Sequence, residues 1–426
     1  MKVAIINKSD ATGGAAVVSR RLMEALREEG VDPRLIVCEK LSDSPFVELA
    51  AGKREIKWKF LIERLKIFLI TNFNKKNLFK IDTGEVGLPL WKNSWVKEAD
   101  AVLINWVNQG MLSLEGLKKI LELEKPVIIT MHDMWWMTGI CHHAGKCNHF
   151  QEKCGDCPLL GNLSASGDLS NKIWKRKLSV YEERITKRLA LVAVSSWLKR
   201  KCLESSLLRN KRIEIIPNAF NLIPASLDLP TNSFVKSYSP IRILFGAARL
   251  DDPIKGLYTL KEVSKIIERE HPETAAHLEI AMFGNIKDEK ALDGFKLPVV
   301  KLGVLHGEEE VRKVYENSEI VVSASSYETL PGTLVEAQAY GCIPVSFNQG
   351  GQRDIIEDGI TGFIAVYTDD LNERARNLAD GILKAYEIVR DAGMHKDFIT
   401  RMHKNVESKF SYSRIARQYI ALINSL

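Results

Sequence analysis

Nowhere in the 426 residues is there an apolar run of the length a bilayer requires, which excludes a helical membrane span. The opening MKVAIIN is too short for a signal peptide and passes at once into a Gly-rich loop. Cysteine is scarce: seven residues, an odd number in a large chain with no secretion signal, favour reduced thiols or metal ligands over a disulfide framework. There is no solenoid repeat. No helix-turn-helix, zinc-finger pair or aromatic RNA-binding signature is present, so no nucleic-acid partner is expected. Excess charge is also small. A net +6, with 27% charged and 45% hydrophobic residues, excludes disordered and collagen-like classes and suits anionic ligands and anionic membrane surfaces alike. What remains is a folded cytoplasmic protein too long for one core, so two domains are expected.

The most informative stretch is Glu319 to Phe347, EIVVSASSYETLPGTLVEAQAYGCIPVSF. Its pattern predicts a strand, a short loop, a helix and a second strand. Pro331 is expected at the first helical position, where its missing N–H costs nothing, and Gly341 at the stop. The N–H groups of Gly332, Thr333 and Leu334 would then point beyond the carboxyl end of a strand, a place suited to phosphate. Glu328 lies before that N-terminus and Glu336 inside the helix. Carboxylates so placed would repel a diphosphate, so they are expected to accept hydrogen bonds from neutral hydroxyls, which a nucleotide sugar offers on both sides of its diphosphate.

In the first half, the strand Lys2 to Ile6 runs into Gly13-Gly14 and a helix ending at Gly30, a unit whose adjacent glycines let an anion approach the backbone or serve only as a tight turn. Residues 53–80 interleave apolar residues with nine Lys/Arg (53, 54, 57, 59, 64, 66, 75, 76, 80) against Glu55 and Glu63. Trp58, Leu61, Leu65 and Phe68 recur at helical spacing. Such a helix either lies on an anionic membrane or packs on its own domain. Strands at 101–105 and 126–130 deliver Trp106 and His132 to loops at their carboxyl ends. Next come Cys141, Cys147, Cys154 and Cys157, four thiols within seventeen residues that end in Cys-x2-Cys-Pro. They can surround one tetrahedral structural Zn²⁺, with His142, His143 and His149 in reserve; two disulfides or free thiols are the alternatives. A strand from Leu191 carries Ser195-Ser196, and another spans Ile213 to Ile216. The Pro-rich, weakly periodic stretch from Asn218 to Pro240 marks the interdomain connection.

The second half opens with a strand from Ile241 carrying Arg249 at its end, then a loop with Lys255 and a helix through Glu270. These two cations are placed to neutralise a diphosphate and its leaving charge. A strand at 278–283 with a turn at Gly284-Asn285 follows, and the strand at 299–303 with Leu305-His306 is expected to line a base pocket. The last helix has Ile415, Tyr419 and Leu422 on one face.

The segment Glu328-Thr-Leu330-Pro331-Gly332-Thr333-Leu-Val-Glu336, continued by Gly341-Cys-Ile-Pro344, Gly350-Gly351 and Asp358 to Gly362, resembles the Glu-x7-Glu motif of retaining glycosyltransferases of family 4. The resemblance implies the GT-B arrangement of α/β architecture: two Rossmann-like domains facing across a cleft, at 1–220 with 408–426 crossing back, and 221–407. It implies transfer of a sugar from a nucleotide-sugar donor to a carbohydrate or lipid-linked acceptor with retention, in polysaccharide or lipopolysaccharide synthesis at the inner face of the membrane. A nucleotide-sugar epimerase of the same fold and a non-catalytic nucleotide-sugar or lipid-binding protein are the alternatives. By the resemblance, Glu328 holds the donor sugar, Glu336 the ribose, Arg249 and Lys255 the diphosphate, and His132 the sugar near its reacting carbon. Gly13 and Gly14 face donor phosphate or acceptor, and Leu330, Pro331, Gly332 and Thr333 form the donor loop. No Asp-x-Asp metal motif occurs, so no catalytic metal is expected. Ala324 stands where the pattern often has Pro. A cysteine loop like this one occurs in a subset of bacterial polysaccharide glycosyltransferases.

Overall fold

The expected apolar runs all become parallel strands. Lys2–Ser9 (β1), Asp32–Glu39 (β2), Val47–Leu49 (β3), Ala101–Ile104 (β4), Val127–Met131 (β5), Leu189–Ala193 (β6) and Ile213–Ile215 (β7) make one sheet, ordered β3-β2-β1-β4-β5-β6-β7. Ile241–Arg249 (β8), Leu278–Asn285 (β9), Val299–Gly303 (β10), Ile320–Ser323 (β11), Ile343–Phe347 (β12) and Phe363–Ala365 (β13) make the other, ordered β10-β9-β8-β11-β12-β13. This computed structural model describes residues 1–75, 77–183, 185–222 and 240–426. The connection expected at 218–240 therefore falls largely outside the described residues, as does Lys76 of the basic stretch.

Two compact units divide the chain: Met1–Ala219 with Tyr412–Leu426, and Phe220–Ser411. Each is a Rossmann-like α/β layer structure. Continuous burial of Val3 to Ile6 and of Val127 to Ile129 follows from helices on both faces of a parallel sheet. In both sheets the chain order reverses beside the first strand, between β1 and β4 and between β8 and β11. Ligand crevices of open α/β sheets form at the carboxyl ends of strands at such reversals.

The terminal helix Tyr412–Asn424 belongs to the first unit, where Ile415, Tyr419 and Leu422 are buried in its core. Tyr419 and Thr130 hydroxyls meet at 2.8 Å, and the Tyr412 hydroxyl donates to Glu24 at 2.9 Å. Boundaries differ in detail from the pattern. Pro331 precedes the Gly332–Ala339 helix with extended ψ instead of opening it, and Ser195 caps the Ser196–Glu204 helix by accepting from the Leu198 N–H.

The helix Lys53–Ile70 is built inside out. Its buried side chains are Glu63, Arg64 and Ile67, while Trp58, Leu61 and Leu65 of the expected apolar stripe are exposed. Packing of that stripe on its own domain is thereby corrected. The reason is polar: Arg64 donates to Asp82 at 2.8 Å and to the Leu78 carbonyl at 2.5 Å, which fixes the charged face inward. Burial first, and then the neighbouring Asp82, pushes the Glu63 carboxyl up to about 10, so it enters this cluster as a neutral acid.

Candidate functional site

In the second unit, β8 bulges at its carboxyl end, where its register against β9 shifts between Gly246 and Arg249. Arg249 is thus delivered at the reversal point, its Nε 3.3 Å from an Asp251 carboxylate oxygen. The following turn, Pro253–Lys255, ends at Gly256 with φ +81°. A Cβ at Gly256 would lie 2.1 Å from the Ala324 carbonyl oxygen, so only glycine lets this turn close on the loop after β11. The Ser326 N–H donates to the Ile254 carbonyl at 2.9 Å and completes the stitch. The outcome is that Lys255 Nζ lies 2.7 Å from Glu328 Oε1.

Glu328 is held by its backbone. Its carbonyl accepts the Gly351 N–H at 3.1 Å, and Gly350 passes so close that a Cβ there would stand 1.6 Å from that oxygen. Four residues on, the Gly332–Ala339 helix starts with no side-chain cap. The Leu334 N–H already bonds the Pro331 carbonyl at 3.1 Å, which removes it from the expected anion site and leaves Gly332 and Thr333. Glu336 accepts the hydroxyl of Tyr315 at 3.1 Å. Tyr315 is fully buried, stacked on Tyr340 with centroids 5.5 Å apart. It lies 21 positions before its partner on the Gly307–Glu316 helix, and nothing in the sequence marked it.

The reversal point of the first unit holds a cavity of about 550 Å³. Asn7, Lys8 and Ser9 enter from the end of β1, Trp106 from beyond β4, and Lys53, Lys57 and Phe60 from the inside-out helix. Lys8 Nζ donates to the Gln109 carbonyl at 2.9 Å and lies over the Phe60 ring. Gly13, with φ +88°, precedes the Gly14–Glu28 helix, and no atom lies within 4 Å of a Cβ built at Gly13 or Gly14. Lys53 and Lys57 were marked from sequence only as part of the basic stretch, and their meeting with Lys8 of β1 in one cavity could not be read there because the two elements are distant in the chain.

His132 follows β5 and its Nε2 lies 3.1 Å from Asn105 Oδ1. Burial pushes its imidazole down to about 4, so it is neutral near pH 7. Beside it, Asp133 accepts from Trp106 Nε1 at 2.9 Å and pairs with His142 Nδ1 at 2.7 Å. Burial opposes the Asp133 charge, but the His142 cation outweighs it and holds the carboxyl at about 2. His142, a reserve ligand by sequence, is paired with this carboxylate through Nδ1 and does not line the cysteine cavity.

The four cysteines of the loop, with His149, line one cavity of about 20 Å³. All seven thiols are free, which corrects the disulfide alternative. The Gly139 N–H donates to Cys154 Sγ at 3.1 Å, and Lys177, fully buried, donates to the Trp135 and Thr138 carbonyls behind the loop. The donor set suits Zn²⁺ by chemistry. By position it is not gathered, since among the described residues no group of three or more His, Cys, Asp or Glu is arranged to hold a metal ion.

Residues 12–222 match the family described as Glycosyltransferase Family 4, and residues 241–387 match Glycosyl transferases group 1. An uncharacterized glycosyltransferase of Methanocaldococcus jannaschii is 25% identical over 341 residues, 74% of this chain and 80% of that protein. A glycogen synthase of Pseudomonas savastanoi is 38% identical over 80 residues, only 17% of this chain and 16% of the enzyme. Among solved structures, a Rickettsia africae glycosyltransferase matches with TM-score 0.64 at 16% identity, covering 100% of this chain and 98% of that one. An Anabaena protein solved with UDP and glucose matches with TM-score 0.59 at 14% identity, and WaaG, a glycosyltransferase of lipopolysaccharide biosynthesis, with 0.61 at 14%; each match covers 100% of both chains. With both halves matched by glycosyltransferase families and two parallel Rossmann-like sheets in one chain, the protein belongs to the glycosyltransferases of the GT-B type.

Proposed function

We propose that the protein transfers a hexose-type sugar from a nucleotide diphosphate sugar to a carbohydrate hydroxyl, with retention, in the synthesis of a surface polysaccharide or lipopolysaccharide. The observation that carries this is the Lys255–Glu328 contact at the reversal point, one short loop before an uncapped helix N-terminus. A cation, a carboxylate and free helix N–H groups match, in turn, a diphosphate's charge, a sugar's hydroxyls and phosphate oxygens. The Anabaena structure with UDP and glucose supports the donor class.

On donor binding Lys255 leaves Glu328 for the diphosphate, and Glu328 turns to the sugar hydroxyls. Arg249 and the Gly332–Ala339 N-terminus share the charge that grows on the leaving group, so no metal is required for it. Glu336, already oriented by Tyr315, takes the ribose hydroxyls. His132 meets substrate as a neutral imidazole. The departing phosphate takes the acceptor proton in a front-face step, which requires no carboxylate nucleophile.

The test is NMR of the product formed from a panel of nucleotide sugars with EDTA present. The donor's anomeric configuration kept in the product is expected. An inverted product would contradict retention, interconversion of donor without acceptor would identify an epimerase, and tight donor binding without turnover a binding protein.

For the cysteine loop we propose one structural Zn²⁺ on Cys141, Cys147, Cys154 and Cys157. Their shared cavity supports this. The thiols must turn toward a common centre to take the ion, and four thiolates leave no position for substrate.

A further inference from the structure

We infer that the outward face of the Lys53–Ile70 helix docks the protein on an anionic lipid bilayer. A helix on a protein surface normally turns its apolar stripe inward. Here the inward face is Glu63, Arg64 and Ile67, held by the Arg64–Asp82 ion pair at 2.8 Å, and the apolar stripe is left outside. Trp58, Leu65 and Leu69 on it are 65%, 56% and 52% exposed, and Leu61, Ile62 and Ile70 are exposed beside them. Just past the helix, Phe73 and Phe79 are exposed as well.

Charge identifies the occupant. Arg54, Lys66, Lys75 and Lys80 are exposed around the stripe, and Lys53 and Lys57 at the helix start; within this segment Glu55 is the one exposed acid among the described residues. Apolar side chains flanked by Lys and Arg, with a Trp among them, match the acyl boundary and the anionic headgroups of a bilayer. A second copy of the chain would instead bring two cationic rims together, which like charges oppose. The helix is also about 27 Å long at 1.5 Å per residue, and lies along the surface without crossing, since no helix among the described residues is long and apolar enough to span.

The same helix supplies Lys53, Ile56, Lys57 and Phe60 to the 550 Å³ cavity. Docking therefore sets a lysine-lined cavity at the lipid surface, where an acceptor with an anionic lipid head would meet it. That consequence rests on the transferase reading; the docking does not.

Flotation of the full-length protein with vesicles, without donor or acceptor, tests it. Vesicles of phosphatidylcholine mixed with phosphatidylglycerol should carry the protein, phosphatidylcholine alone should not, and salt should weaken the binding. Leu61→Gln/Leu65→Gln/Leu69→Gln should lower the bound fraction by about tenfold or more, and Arg54→Gln/Lys66→Gln should weaken binding and flatten its salt dependence. Brominated lipid should quench wild-type tryptophan fluorescence more than that of Trp58→Phe, a readout that needs no disruptive variant. No binding to anionic vesicles overturns the inference. So does unchanged binding by the triple variant, or a concentration-dependent dimer that the triple variant dissolves in the absence of vesicle binding.

Discussion

Replacing Lys255 by Ala separates a charge kept for chemistry from one kept for stability. The Lys255 and Glu328 side chains touch at 2.7 Å but are 32% and 19% exposed. Pairs this accessible are screened and contribute about 0–1 kcal/mol. In a chain of this size that is a fall in Tm of about 2–4 °C at most. The local backbone does not depend on the side chain, because the turn is fixed by Gly256 against Ala324 and Glu328 by the Gly351 N–H. Loss of one preorganised donor to a leaving diphosphate costs about 100-fold in kcat, or about 2.7 kcal/mol. Differential scanning fluorimetry and steady-state kinetics on the same preparation should therefore give a nearly unchanged melt and a collapsed kcat. A kcat within about threefold of wild type, or a melt that falls in step with activity, would refute the role.

Tyr315→Phe keeps the ring stacked on Tyr340 and removes only the hydroxyl that Glu336 accepts; donor KM should rise about tenfold with kcat little changed, and an unchanged KM would show that Glu336 needs no positioning. In imidazole NMR titrations His132 should stay neutral until the pH falls to about 4, while the pull of Asp133, winning over burial, keeps His142 protonated above the usual 6.5. The signs differ: stability from neutral His132 is full above 6.5 and lost as pH falls through about 4, that from His142 is full below 6.5 and lost as pH rises through its raised value, and that from Asp133 is full above 3.8 and lost as pH falls through about 2. His132 titrating near 6.5 would contradict its burial. Protein purified without added metal should carry one zinc per chain, which Cys154→Ser/Cys157→Ser loses along with thermal stability; Cys342→Ser, whose hydroxyl can keep the bond to the Ser318 carbonyl, should retain it. Absence of zinc, or zinc retained in the double variant, would refute that site.

The strands, the loop carrying Glu328 and the helix carrying Glu336 were legible because apolar runs and Gly/Pro punctuation are local signals. Pairing across the chain was not. Lys255 and Glu328 meet over 73 positions, and Tyr315 reaches Glu336 through a buried ring whose role depends on the sheet order. Periodicity marked the stripe Trp58, Leu61 and Leu65 correctly but could not say which way it faces. That was decided by Asp82, eighteen positions beyond Arg64, which satisfies the charged side. In the cysteine loop the spacing brought four thiols to one cavity, yet it could not show that His142, next to Cys141, pairs at 2.7 Å with Asp133 nine positions back.

The most direct measurement is acceptor-dependent release of nucleoside diphosphate from a panel of nucleotide sugars, in EDTA, by wild type and by Lys255→Ala. Release by the wild type, cut about 100-fold in the variant, is the predicted result. Release that vanishes in EDTA and returns with Mg²⁺, or that proceeds equally well without Lys255, would contradict the assignment of the leaving-group charge to this site.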